Sequence, residues 1–212
     1  MIDVMSSTSP TYHQRVAQEK RALIVRAATR LFLELGYDRA SLARIAEAAG
    51  VSKATLFKQF PTKAALFDAM VLESWTDGDE AAPPTAGDLA AGLALLGRRY
   101  AALLDQPGMS DLFRIVIAEL PRFPELAESH FSQGKMPYFA SVRAYLVAED
   151  GAGTAVIEDP DLAATQFLGM IANFLFWPRL VLPGWSVTPD RAQEVVADAV
   201  RTMVARYAAT AA

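Results

Sequence analysis

Between Gly36 and Lys63, helix stop and start signals follow one another so closely that only short, sharply separated helices can form there. Gly36 ends the helix before it, because glycine enters the left-handed conformation without steric cost. Ser41 is placed to cap a helix over Leu42–Ala49, Gly50 closes that helix, and Ser52 caps the next over Lys53–Gln59. Pro61-Thr62 restarts the chain into a further helix, Lys63–Thr76. Ile45, Ala46, Ala49, Val51, Leu56 and Phe60 are spaced to share a small core, and Ala46 and Ala49 are small enough to let the second helix cross closely. Ser52, Lys53, Thr55, Lys58 and Gln59 are left projecting from the second helix.

A polar, basic helix held out on such a pair suits the major groove of DNA, which is wide enough to admit one. The charge distribution agrees. Net charge is -4, yet Thr11 to Lys63 holds ten basic and four acidic residues, a local +6 that leaves -10 for the remainder. A basic head on an acidic body is the layout expected when one end meets phosphates. In front of the pair, Ile24, Ala27, Ala28, Leu31 and Leu35 recur at helical spacing, so a first helix is expected over Tyr12–Leu35. Residues 1–11, rich in Ser and Thr, read as a disordered tail without the basic and apolar regions of a signal peptide. His13 and Arg15 stand where they could reach the DNA backbone or an adjacent minor groove.

The rest reads as helical too. Hydrophobic residues make up 52% of the chain, alanine is abundant and β-branched clusters are few. Asp77 to Gly87 is polar and rich in Pro and Gly, a linker or an interhelical loop. Helices are expected at Asp88–Gln106, Met109–Leu120 and Pro124–Glu149, the last kinked at Gly134 or Pro137. Asp159-Pro160 and Thr188-Pro189 are caps followed by proline at the first helical position, opening helices to Leu180 and Tyr207. The expected fold class is therefore all-α. A three-helix helix-turn-helix domain (12–62) is followed by a larger helical bundle (63–212), whose expected roles in ligand binding and dimerisation follow from the resemblance and the half-site spacing given below. The most apolar stretch, Leu168 to Leu182, is broken by Asn173, Pro178 and Arg179 and is too short for a membrane span, so the reading is cytoplasmic with no membrane partner. The absence of cysteine excludes disulfides and thiolate chemistry, and two distant histidines suggest no metal pair. No cofactor is expected.

The helix end Leu31-Phe32 to Gly36-Tyr37, the run Ile45-Ala46-x-x-Ala49-Gly50-Val51-Ser52, then Thr55-Leu56-Phe57, Phe60-Pro61 and Lys63-x-x-Leu66 resemble the DNA-binding domain of the TetR family of regulators. The segments Glu119 to Leu126 and Gln166-Phe167-Leu168-Gly169 resemble the ligand-binding half of its AefR-like branch. The resemblance implies base contacts from Lys53, Ala54 and Thr55, phosphate contacts from Ser41 and Lys63, and either from Arg44. Phe57 stands where tyrosine is usual, which removes a phenolic hydrogen bond to phosphate and leaves Lys58 to supply one. The resemblance further implies a homodimer on a palindromic operator, repressing until a small effector binds.

One head reads few base pairs, so two are needed at a fixed spacing and the body must dimerise. Leu162, Phe167, Leu168, Ile171, Val195, Val196, Ala199 and Met203, on the last two long helices, are the interface candidates. For a pocket suited to an apolar or aromatic ligand, the candidates are Tyr100, Phe113, Arg114, Tyr138, Phe167, Met170, Asn173, Phe174 and Trp177, with Asn173 read as a buried amide that needs a partner. Phe131, Met136 and Phe139 belong to the same aromatic and methionine set. An enzyme is the competing class. Ser132-x-x-Lys135 has the spacing of some hydrolases, but no Ser/His/Asp set or phosphate-binding glycine loop accompanies it. An architectural DNA binder with a ligand-insensitive body is the other alternative.

Overall fold

A computed structural model of the chain describes residues 12–75, 82–182 and 184–209. The expected tail 1–11, the side chain of His13 and residues 77–81 of the expected linker lie outside these. Among the described residues are eleven α-helices: α1 (Tyr12–Leu35), α2 (Leu42–Ala48), α3 (Lys53–Gln59), α4 (Lys63–Trp75), α5 (Leu89–Asp105), α6 (Met109–Glu119), α7 (Pro124–Ser129), α8 (Met136–Gly151), α9 (Pro160–Leu175), α10 (Trp177–Val181) and α11 (Pro189–Tyr207). The described residues form no strand, and one isolated antiparallel bridge pairs Ala155 with Ala208. The chain divides into two units between Ala69 and Met70, inside α4, rather than at position 62. The reason is packing, since Leu66 and Phe67 are fully buried and Phe67 meets the Tyr37 ring edge-on at 6.0 Å.

In the first unit α1 lies against α2, and α2 against α3. Ile24, Ala28 and Phe32 of α1 are buried, with Ile45 and Ala46 of α2, Leu56 of α3 and Phe60 just beyond it. Gly50 takes φ +66°, the left-handed conformation that lets the chain leave α2 and begin α3 within a few residues. The turn is closed by hydrogen bonds from the Gly50 N–H to the Glu47 carbonyl (3.1 Å) and from the Val51 N–H to the Ala46 carbonyl (3.0 Å).

In the second unit α5 is the central helix, packed by α11, α9, α8 and α6. Its apolar positions Leu89, Leu93, Leu96, Tyr100, Leu103 and Leu104 are buried together with Phe167 and Ile171 of α9 and Val196 and Met203 of α11. The caps read from the sequence are in place. Asp88 accepts from the Ala91 N–H (2.9 Å), Asp159 from that of Leu162 (2.9 Å) and Thr188 from that of Arg191 (3.3 Å). Glu149 is fully buried near the start of α5, where it accepts hydrogen bonds from the Thr154 hydroxyl and from the Gly87 N–H (3.1 Å). Burial opposes its charge, but the hydrogen bonds from Thr154 and from the backbone of Gly87 and Asp88 outweigh that and hold the carboxyl below its ordinary pKa.

Two expected helices are interrupted, each at a proline. The 124–149 helix becomes α7, a π-helical turn over His130–Lys135, and α8. Pro137 has no N–H to continue the α-helical ladder, and the Met136 N–H instead reaches back to the Phe131 carbonyl. The helix expected to run to Leu180 stops at Leu175, and Pro178 forces a restart as α10.

Candidate DNA-binding face and ligand cavity

The exposed face of α3 carries Lys53, Ala54, Phe57 and Lys58, which recur one helical turn apart. Phe57 is 48% exposed, unusual for an aromatic side chain on a polar helix. Ser52 caps α3 by accepting from the Thr55 N–H (3.1 Å), and the two hydroxyls lie 2.9 Å apart, so Ser52 and the half-buried Thr55 hold each other at its first turn. Ser41 caps α2 in the same way through the Arg44 N–H (3.3 Å), leaving the Arg44 side chain exposed. Among the described residues no carboxylate pairs with Arg44, Lys53 or Lys58, so their charges are not already neutralised within the chain. A groove between α1 and α3, lined by Lys20, Arg21, Thr55, Lys58 and Gln59, extends the basic surface.

Lys63 stands differently. Its ammonium donates to the carbonyls of Tyr37 (2.6 Å) and Asp38 (3.0 Å) and lies 4.5 Å from the centre of the Tyr37 ring. It therefore clamps the α1–α2 turn onto the start of α4, and any phosphate contact must share an ammonium already engaged. That structural role left no mark in the spacing of the sequence.

The second unit contains a cavity of about 420 Å³, within the range of small-molecule sites. Tyr100 from α5, Phe113 from α6, Phe131 and Lys135 from the π-helical turn, and Met136 and Phe139 from α8 line it. One face of α9 (Thr165, Leu168, Gly169, Ala172), followed by Phe176 and Trp177, closes another side, and Trp75 at the end of α4 completes the wall. Among the described lining residues Lys135 is the one charged side chain. Phe113 organises the aromatic wall, meeting Phe176 edge-on at 4.7 Å and His130 at 4.3 Å between ring centres. Gly134 is required by the same packing, because a Cβ there would fall 2.5 Å from the Trp75 indole. Burial pushes the Tyr100 hydroxyl up to about 12, so it stays a neutral donor.

Of the nine ligand candidates, the structure brings Tyr100, Phe113 and Trp177 to the cavity and places the other six elsewhere. Tyr138 stacks on Tyr100 at 5.2 Å and donates to the Leu96 carbonyl (2.6 Å), which puts it behind the wall. Phe167 is sealed in the core at 0% exposure. Asn173 is exposed, not a buried amide, and it sits on the outer face of α9 with Met170 and Phe174. Arg114 is exposed, bound to Asp111 (3.0 Å) and to the carbonyls of Arg179 (2.5 Å) and Leu180 (3.4 Å). The missed wall residues on α9 follow a signal that was available, since 165, 168, 169, 172 and 176 share one helical face. Polarity drew attention instead to Asn173, one turn beyond Gly169 at the exposed edge of that face.

The interface candidates divide in a similar way. Phe167, Leu168, Ile171, Val196, Ala199 and Met203 are buried in the unit's own core, leaving Leu162, half exposed, and Val195 toward the outside. Met170, Phe174, Val195 and Arg191 line a second depression there, with the Arg191 guanidinium 5.0 Å from the centre of the Phe174 ring. Ser132 donates to the Glu128 carbonyl in α7 (2.7 Å), four residues back, which is an ordinary helical back-bond for this hydroxyl.

Comparison with known proteins places both units. Residues 24–70 match the family of bacterial regulatory proteins named for TetR, and residues 91–209 match the C-terminal domain of AefR-like transcriptional repressors. An uncharacterised helix-turn-helix transcriptional regulator of Mycobacterium tuberculosis is 27% identical over 182 residues, 84% of either chain. A crystal structure of a TetR family regulator from Pseudomonas syringae pv. tomato superposes with a TM-score of 0.76 at 28% identity, covering 91% of this chain and 98% of that one. The flavonoid-responsive regulator FrrA superposes with a TM-score of 0.73 at 28% identity, covering 92% of this chain and all of the other.

Proposed function

Since the chain belongs to the TetR family of transcriptional regulators, which bind DNA and are not enzymes, we propose that it is a homodimeric, cytoplasmic repressor that leaves a palindromic operator when a small apolar or aromatic ligand enters the body cavity. The observation that carries this reading is the α3 face. Lys53, Ala54, Phe57 and Lys58 lie exposed together on a capped helix with no carboxylate set against them. Lys53 donates to guanine, and the methyls of Ala54 and Thr55 meet thymine methyls. Lys58, Arg44 and the Ser41 hydroxyl hold the phosphates, and the Phe57 ring packs on the sugar-phosphate surface.

Two heads on a two-fold axis read half-sites about 34–36 Å apart, or a multiple of that spacing. The outward apolar side chains of α9 and α11, Leu162, Met170, Phe174 and Val195, supply the dimer contact. The cavity walls favour a ligand with an aromatic body, and the name of the similar FrrA, responsive to flavonoids, points the same way. Ligand binding acts by population shift: a body conformation preferred by the ligand holds the heads at a spacing the operator does not accept. No helix among the described residues is long and apolar enough to cross a membrane.

A gel-shift scan across the DNA upstream of the protein's own gene tests the reading. Binding should concentrate on one pair of spaced, inverted half-sites, and Lys53→Ala should relax base preference there. Binding that ignores both sequence and spacing would overturn it.

A further inference from the structure

In the wall of the cavity, and just behind it, are polar atoms that pair with no group among the described residues. Neither nitrogen of His130 nor the indole N–H of Trp75 has a hydrogen-bond partner among the described residues, although all are shielded from solvent. His130 is only 5% exposed. Folded chains rarely leave buried polar atoms unpaired, and such exceptions concentrate at functional sites. The location is specific. His130 opens the π-helical turn, a distortion that itself recurs at functional positions, and the same turn sends Phe131 and Lys135 to the cavity wall. The imidazole lies 4.3 Å from the Phe113 ring and 5.6 Å from the Trp75 ring, centre to centre, and both of those rings line the cavity. One layer of aromatic side chain separates His130 from the space a ligand would fill.

Resting on the ligand-binding reading above, we propose that the cavity recognises a hydroxyl group on an aromatic ring, which displaces Phe113 or Trp75 enough to bind His130 and the Trp75 indole. The chemistry of the unpaired atoms selects that group. A neutral imidazole offers one donor and one acceptor, and the indole offers a donor. A partner that only accepts leaves the imidazole acceptor unpaired, and one that only donates leaves the indole unpaired. A hydroxyl both donates and accepts, so it pairs the indole N–H and the imidazole nitrogen that faces it, whichever tautomer the ring takes. A carboxylate would bury a charge among aromatic rings beside a neutral imidazole. Burial and the nearby Lys135 charge lower the His130 pKa to about 4, which keeps that imidazole neutral. The rings of Tyr100, Phe131, Phe139 and Phe176 then receive the apolar part of the ligand.

The test uses the full chain and three probes of matched shape: 2-naphthol, 2-methoxynaphthalene, which accepts but cannot donate, and naphthalene. Binding is read by calorimetry and by tryptophan fluorescence. The parent protein should bind 2-naphthol about tenfold or more tighter than either of the others, the gain of one well-made hydrogen bond. His130→Leu should still bind naphthalene and lose the preference, and His130→Gln, with a donor and an acceptor, should retain part of it. A thermal melt of each variant checks that it folds, and the ligand-free His130→Leu protein should melt no lower than the parent. Equal binding of all three probes by the parent, or a preference that survives in His130→Leu, would overturn the hydroxyl proposal and leave the ligand-binding reading intact. Failure of the folded protein to bind any of the three would remove both.

Discussion

In the unit that ends at Ala69, the candidate base contacts lie between Arg44 and Thr55, on helices whose ends are set by side chains a few positions away. In the unit that begins at Met70, the cavity draws on residues from Trp75 to Trp177, contributed by six helices and a π-helical turn. The first unit keeps its chemistry on a convex face, the second inside a concave one. A convex face needs only that a helix form and that its other side be buried. A concave site needs distant helices to leave a gap between them, and that depends on how every neighbour packs. The two units therefore differ in what a single substitution can reach.

The largest expected effect separates them outright. Phe60 is 1% exposed in the small core of the first unit, and Phe60→Ala should cost about 3–5 kcal/mol there. DNA binding should be abolished while 2-naphthol still binds the body, measured on the same preparation. Loss of both together would break the division.

His130 should give the body a pH dependence. Its imidazole ionises near pH 4 when folded and near 6.5 when unfolded, so the stability from keeping it neutral is complete above pH 6.5. That stability is lost progressively as pH falls toward 4, on the order of 3 kcal/mol in all. Urea unfolding of the body across this range should show the slope, and His130→Leu should flatten it. Glu149 adds a loss of the same sign, confined to pH below its ordinary carboxylate value of 4.5.

Lys53→Ala, at the exposed start of α3, should weaken operator binding by about 1–3 kcal/mol, roughly tenfold to a hundredfold, with little change on unrelated DNA. Ser52→Ala removes a cap and should lower the stability of the first unit by about 1 kcal/mol, read from its thermal transition. An equal effect of Lys53→Ala on all DNA would reduce this residue to a phosphate contact.

The same contrast governs what could be read from the residues alone. The bounds of α1 and α3, the caps at Ser41, Ser52, Asp159 and Thr188 and the turn at Gly50 were legible because each is decided by neighbours in sequence. The breaks at Pro137 and Pro178 were half legible: proline announces an interruption, but not that the chain will insert a π-helical turn or restart after one residue. The cavity was legible as composition and not as membership. Helix α9 has three apolar or mixed faces, one to the core with Phe167 and Ile171, one to the cavity with Leu168 and Ala172, one outward with Met170 and Phe174. Which face meets what is set by how α5, α8 and α11, helices on both sides of it in the chain, pack around it. Lys63 shows the same limit at short range, since its hydrogen bonds to Tyr37 and Asp38 depend on the fold bringing α4 back to the α1–α2 turn.

The proposed function couples a DNA-reading face to a ligand cavity in one chain, and one titration tests that coupling. Operator affinity of the full chain is measured with and without 2-naphthol, while tryptophan fluorescence from the same samples reports cavity occupancy. Filling the cavity should lower operator affinity by about tenfold, the usual scale of coupling between two sites, and leave binding to unrelated DNA unchanged. An operator affinity that stays the same while the cavity is shown to be filled would contradict it.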